Sequence, residues 1–250
     1  MRWIPFIIIL ILLQWYAFQA LKTLTHNKIW WILYGLIVTL IIGSFLYQIF
    51  NFDRSVGWTP GINYTIGWFI ALITGQFVLI PILFFEDLSR IAVGVYRFFS
   101  TEQKYYLPER RKFITQIALA LSAVPFASLL YGMYKGRYNY RVFHYTLEYD
   151  SLPESFDGFQ ITQISDLHCG SFDNFKKVAY GIDLINEQKS DLLLFTGDMV
   201  NNKSSEARPW VEKLSELEAP YGKFSVLGNH DYGDYNQWES EAAKQKNMEE

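Results

Sequence analysis

Phe159-Gln160-Ile161-Thr162-Gln163-Ile164-Ser165-Asp166-Leu167-His168 is an apolar run that ends abruptly in an acid and an imidazole. The pattern recurs twice. Residues 192–196 run into Gly197-Asp198-Met199, and residues 224–227 run into Gly228-Asn229-His230-Asp231. Short apolar runs bounded by turn residues read as buried strands. Strands of one parallel sheet deliver their C-terminal ends to a common edge, so the three clusters should converge there. What converges is Asp166, Asp198, His168, His230 and Asn229, a hard-oxygen and imidazole set suited to a divalent cation.

The segments between the clusters read as helices. Phe175, Val178, Ala179, Ile182 and Ile185 share one helical face, with Asp173 or Asn174 as the N-cap. Trp210, Val211, Leu214 and Leu217 form another face, with Ser205 as a candidate cap, Pro209 in the first turn and Pro220 at the end. A polar third helix is expected over residues 235–248, and the alternation of residues 139–149 predicts an edge strand ahead of the first central one. The order β-α-β-α-β-α implies a largely parallel α/β sheet.

Upstream the chain changes character. Four stretches, residues 3–21, 29–50, 65–85 and 113–134, are long and apolar enough to span a bilayer. Trp3, Trp15, Trp30, Trp31, Trp58, Trp68, Tyr131 and Tyr134 lie mostly near their ends, as interfacial aromatics do. Gln14, Gln76 and Gln116 are polar residues inside spans, and interhelical hydrogen bonding accounts for them more simply than a lipid site. No small-x-small cleavage site follows the first span, which therefore reads as an anchor and not a signal peptide. Residues 86–112 predict an interfacial amphipathic helix or an extension of the third span.

Charge divides along the same line. Residues 1–137 hold 12 Lys/Arg and 5 Asp/Glu, whereas residues 138–250 hold 10 and 20. The acidic half lacks the clustered cations of a nucleic-acid-binding surface, so nucleic acid is not an expected partner. Lys22, Lys28, Arg90, Arg97, Lys104, Arg110, Arg111 and Lys112 fall in the first and third loops, against Arg2, Arg54, Lys135, Arg137 and Arg141 on the other side. The positive-inside rule then puts both termini and the acidic half outside the cytoplasm. Arg110-Arg111-Lys112-Phe113-Ile114 resembles a twin-arginine export signal, but an ordinary positive-inside cluster is the preferred reading, and both give the same orientation. One cysteine, Cys169, excludes an intrachain disulfide and reads as a small packed residue.

Taken in order, Asp166-Leu167-His168, Gly197-Asp198 and Gly228-Asn229-His230-Asp231 resemble the N-terminal half of the calcineurin-like metallophosphoesterase family over residues 141–234. The approach Leu152-Pro153, Phe156-Asp157-Gly158-Phe159 is similar to the membrane-anchored bacterial branch, which includes exported phosphodiesterases and relatives that cleave the pyrophosphate of a UDP-acylglucosamine lipid precursor. The resemblance implies two divalent ions, of Mn, Fe, Zn or Mg. Asp166 and His168 would hold one, Asn229 the other, and Asp198 would bridge them. His230 would sit just beyond them as the catalytic acid or phosphoryl stabiliser. The implied substrate is a phosphomonoester or phosphodiester, lipid-linked or from the cell envelope, in the bacterial cytoplasmic membrane.

Two departures follow. The family's second half supplies a further His and a Gly-His-x-His, and the remaining histidines here, His26 and His144, do not fit. The expectation is therefore a four-span region, residues 1–137, followed by the N-terminal part of a phosphoesterase domain, residues 138–250, belonging to a longer protein. Asn201 replaces an aspartate that orients the catalytic histidine in some members and cannot supply its charge. The competing reading is a non-catalytic membrane module with an incomplete metal site.

Overall fold

A computed structural model describes residues 3–53, 59–100 and 108–250. Arg2, Arg54, Trp58 and Lys104, used above for orientation and the aromatic belt, lie outside them. The chain divides into two compact units, Met1–Phe50 with Tyr64–Tyr134, and Asn51–Asn63 with Lys135–Glu250.

The first unit is built on four helices: α1 (Ile4–Leu24), α2 (Lys28–Phe50), α3 (Pro60–Phe99) and α4 (Pro108–Tyr134). All four are long and apolar enough to cross a membrane. Ala17 and Ala20 of α1, Leu79 and Leu83 of α3 and Ala118 of α4 make its core, with small residues letting the helices approach. Gln14 and Gln76 exchange side-chain hydrogen bonds at 2.9 and 2.7 Å, and the Tyr34 hydroxyl donates to Gln14 Oε1 at 3.3 Å. These two glutamines thus pair between helices, as a polar group inside an apolar layer must.

α3 is the longer of the two forms expected for residues 86–112. Its 40 residues rise about 60 Å, twice the roughly 30 Å of a hydrocarbon core. The third span therefore extends into one continuous helix. The Arg110-Arg111 pair is engaged in ion pairs with that extension. Arg110 lies 3.6 Å from the buried Glu86 and donates to Ser89 Oγ at 2.8 Å, and Arg111 lies 3.5 Å from Asp87. Asp87 also accepts from the Tyr16 hydroxyl at 2.8 Å.

The second unit holds a three-stranded parallel sheet, β1 (Ile161–Ile164), β2 (Leu192–Phe195) and β3 (Lys223–Ser225), in the order β1-β2-β3. Ile161 pairs with Leu192, and Leu193 with Lys223. Between the strands run α5 (Phe175–Asn186) and α6 (Val211–Ser215), and α7 (Glu241–Glu249) follows β3. Asn174 caps α5 by accepting from Lys177 N–H at 3.1 Å. Ile182 of α5 packs with Leu193 of β2 and with Leu217, while Val178 packs with Cys169 and Trp210. The sheet carries these helices on the face of Leu193 and Phe195; Ile161 and Phe224 stay 53 % and 59 % exposed.

Three expectations are corrected. Residues 139–149 form no strand, because their alternating apolar side chains have no sheet to bury against: Val142, Phe143, Tyr145, Leu147 and Tyr149 are all exposed. Ser205 caps nothing; it lies inside a 3-10 turn, Ser204–Glu206, that precedes a second, Arg208–Trp210, and α6. The polar helix begins only at Glu241, where Ser240 accepts from Ala243 N–H at 3.1 Å. Trp238 instead donates to the Gly233 carbonyl at 2.8 Å and holds the preceding segment in turns.

Candidate metal centre

Beyond the strand ends the first two clusters continue to zip together. Asp166 N–H donates to the Gly197 carbonyl at 3.0 Å, His168 N–H to that of Asp198 at 3.0 Å, and Cys169 N–H to that of Met199 at 2.9 Å. The third cluster joins through His230 N–H, which donates to Asp198 Oδ1 at 2.9 Å. The parallel order thus brings all three to one edge.

The backbone there is unusual. Asp166, His168 and Asp198 have φ of 55°, 47° and 59°, three of the four non-glycine residues with positive φ among the described residues. An L-residue in this region costs roughly 1–2 kcal/mol, a strain that concentrates where side chains must be aimed. Gly197, at φ 99°, lies against the third cluster so closely that a Cβ would stand 2.3 Å from Gly228 N. A Cβ on Gly228 would stand 2.2 Å from Asp198 Oδ1. Both glycines are required by this approach and not only by the turn.

His168 Nε2 lies 3.7 Å from Asp198 Oδ2 and 3.9 Å from Asp166 Oδ1. Two donors on one cation, each at about 2.1 Å, can be at most about 4.2 Å apart. His168 is thus close enough to either carboxylate to share a divalent ion with it. His168, Asp198 and His230 also offer donor atoms within 4.8 Å of one another, a group that could hold a metal ion. The two imidazoles meet edge to face, with centroids 4.7 Å apart. Asp198 is buried, whereas Asp166 is open to solvent and takes a hydrogen bond from Ser165 Oγ at 2.5 Å. Asn229 Nδ2 donates to Tyr235 Oη at 3.0 Å.

His230 Nδ1 lies 2.8 Å from the main-chain carbonyl of Asn201. A carbonyl only accepts, so Nδ1 carries a proton and Nε2 is the nitrogen left for a ligand or a proton transfer. Asn201 thus holds the imidazole through its backbone. Its side chain turns away, with Nδ2 donating to Ser171 Oγ at 3.2 Å, and its N–H is taken by Glu206 Oε2 at 2.6 Å. The residue type at 201 therefore matters less than the sequence implies.

Sequence reasoning gave Asp231 no role. Its buried carboxylate accepts four main-chain N–H groups: Asp198 (2.8 Å) and Gly228 (2.9 Å) on Oδ2, Met199 (2.8 Å) and Val200 (3.2 Å) on Oδ1. Each is a charge-assisted bond in a shielded place. The signal was an acid directly after His230, but nothing in one sequence distinguishes a carboxylate aimed at backbone from one aimed at a cation. Cys169 is fully buried 3.8 Å from Met199 Sδ, and burial, followed by the nearby Glu206 carboxylate, pushes its thiol up to about 12. Met199 and Phe172 pack against the same core.

Residues 1–137 match a family model described as "Probable Calcineurin-like phosphoesterase, transmembrane domain". Residues 159–249 match "Calcineurin-like phosphoesterase". Among curated proteins, the "Transmembrane protein with metallophosphoesterase domain" of Danio rerio is 26% identical over 207 residues, covering 82% of this chain and 45% of that protein. The "Uncharacterized metallophosphoesterase YkuE" of Bacillus subtilis is 38% identical over 93 residues, 36% of this chain and 32% of its own. The "UDP-2,3-diacylglucosamine pyrophosphatase LpxG" of Chlamydia trachomatis is 41% identical over 92 residues, 34% of this chain and 27% of its own. The chain spans between about a third and three fifths of the length of the first curated relatives it matches, from 32% to 58%. No solved structure matches it significantly.

Proposed function

Because the chain belongs to the calcineurin-like phosphoesterases that carry a transmembrane domain, we propose that it serves a membrane-bound, metal-dependent hydrolysis of phosphomonoester or phosphodiester bonds. The observation that carries this reading is the approach of His168 to Asp198 and Asp166, at 3.7 and 3.9 Å, with His230 alongside. Asp166 and His168 would hold one divalent ion and Asn229, through its amide oxygen, another, with Asp198 serving both. When bound, such a pair neutralises phosphoryl charge and lowers the pKa of a water. His230, held at Nδ1 by the Asn201 carbonyl, presents Nε2 to the leaving side of the phosphate, where a proton it takes up from solvent can pass to the departing alkoxide oxygen. Residues 1–137 form the membrane region and residues 138–250 the N-terminal part of the phosphoesterase domain.

The four apolar helices are suited to anchor the chain in a bilayer, and the likeness to LpxG, named for a UDP-2,3-diacylglucosamine pyrophosphatase, supports a lipid-linked or envelope phosphate as substrate. The excess of Lys and Arg in the first and third loops supports placing the acidic half on the non-cytoplasmic side, in our reading of a bacterial cytoplasmic membrane. The test is hydrolysis of a chromogenic phosphodiester by the detergent-solubilised full chain with added Mn. Activity that depends on Mn and disappears in Asp198→Asn supports the chemistry; activity unchanged by that substitution refutes it.

A second reading, a metal-binding module without catalysis, draws on the donor count. Among the described residues, His168, Asp198 and His230 are the group of His, Cys, Asp or Glu close enough to hold an ion. Calorimetric titration separates the two: two Mn ions per chain favour the enzyme, one without turnover favours the module.

A further inference from the structure

We infer that Tyr235 is a positioning residue for Asn229 and His230, an inference that rests on the metal reading above. Tyr235 lies outside any regular element, in the turns after the third cluster, and is 64 % exposed. Its surroundings are nevertheless specific. Its hydroxyl accepts from Asn229 Nδ2 at 3.0 Å, and its ring lies over the His230 imidazole at 4.7 Å and 37°.

An asparagine amide has one end that can bind a cation and one that cannot. Oδ1 offers lone pairs; the NH2 group offers only protons. For Asn229 to use Oδ1 on an ion, its NH2 end needs an acceptor elsewhere, and the Tyr235 hydroxyl is that acceptor. The ring does the same for its other neighbour. His230 is fixed at one edge by the Asn201 carbonyl and meets His168 edge to face, so the face covered by Tyr235 limits how the imidazole can tilt. Partners of this kind, one shell outside the ion, set ligand orientation, and their removal typically weakens metal binding 10- to 100-fold. A largely exposed side chain in a turn contributes little to packing, so its replacement should leave the fold intact.

The test is Mn titration, using MnCl2 alone, of the detergent-solubilised full chain followed by calorimetry and by the EPR spectrum of the bound ion. Tyr235→Phe keeps the ring and removes the acceptor. We expect it to weaken binding at the Asn229 site roughly tenfold, to change the spectrum of that ion, and to leave the metal-free melting temperature unchanged. In the Asn229→Ala background the same substitution should change nothing further, since the pathway through the amide is already gone. Wild-type affinity in Tyr235→Phe, alongside lost binding in Asp198→Asn, overturns the role of Tyr235 and leaves the metal reading standing. An equal weakening by Tyr235→Phe with and without Asn229 overturns it too. Absence of Mn binding by the unsubstituted chain removes the metal reading and this inference together.

Discussion

The carboxylate of Asp231 accepts the main-chain N–H of Asp198 at 2.8 Å, so the last residue of the third cluster fixes the backbone of the second. Three more N–H groups converge on the same two oxygens. The anchored residue is the one at the left-handed φ of 59°. Asp231→Asn replaces one acceptor oxygen by an NH2 group facing backbone donors. The expected cost is about 2–4 kcal/mol, since buried donors to a charged acceptor lose their partner. Thermal unfolding of the detergent-solubilised chain should show it as a lowered transition of the second unit, accompanied by weaker Mn binding.

Three glycines separate strain from collision. Gly158 has φ 74° with nothing within 4 Å of a Cβ, whereas Gly197, at φ 99°, and Gly228 would drive a Cβ to within 2.3 Å of the facing cluster. Gly158→Ala should cost only the left-handed penalty, about 1–2 kcal/mol. Gly197→Ala and Gly228→Ala should instead force the second and third clusters apart and abolish Mn binding. Comparing melting temperature and Mn titration across the three variants checks this; equal effects would mean that the two clusters do not depend on close approach.

Cys169 should resist alkylation in the folded chain. Its thiol is raised from 9.0 to about 12, chiefly by burial. Reaction requires the thiolate, so iodoacetamide at pH 8 should label Cys169 slowly in the native state and readily in denaturant. The linkage has a definite sign. The folded chain holds this proton more tightly than the unfolded one, so the stabilisation is complete below about pH 9 and is lost as the pH rises toward about 12. Alkaline unfolding should therefore move to higher pH in Cys169→Ala, provided the small cavity is tolerated.

In the membrane unit, Gln14 and Gln76 satisfy one another. Gln76→Leu leaves Gln14 without that partner and should weaken helix association by roughly 1–2 kcal/mol. The double replacement Gln14→Leu with Gln76→Leu should cost less than the sum of the singles, because neither amide is left without its partner and only the Tyr34 hydroxyl loses its acceptor. Unfolding in mixed detergent, followed by tryptophan fluorescence, measures both.

Much of this arrangement could be read from residue order. The apolar runs before Asp166, Asp198 and Asn229 are periodic and short, which marks strands, and parallel order carries their ends to one edge whatever the loops do. The four spans are equally legible, because a bilayer demands length and apolarity and little else. What escaped reading depends on geometry across the fold. Asp231 gave no hint that three of its four partners are backbone groups 31 to 33 positions away. Asn201 drew attention through its side chain, while its carbonyl does the holding. Residues 139–149 alternate like a strand, yet alternation cannot say whether a neighbouring strand is available. Glu86 and Asp87 looked like the end of a span, and only the facing Arg110 and Arg111 reveal why a helix with acids at its middle continues.

The left-handed backbone at Asp166, His168 and Asp198 bears on how the protein meets changing metal supply. A site shaped by the chain itself does not collapse when its ion leaves, since its conformational penalty was met during folding. If the proposed ions bind here, loading would then call for little further change of the backbone at these three residues.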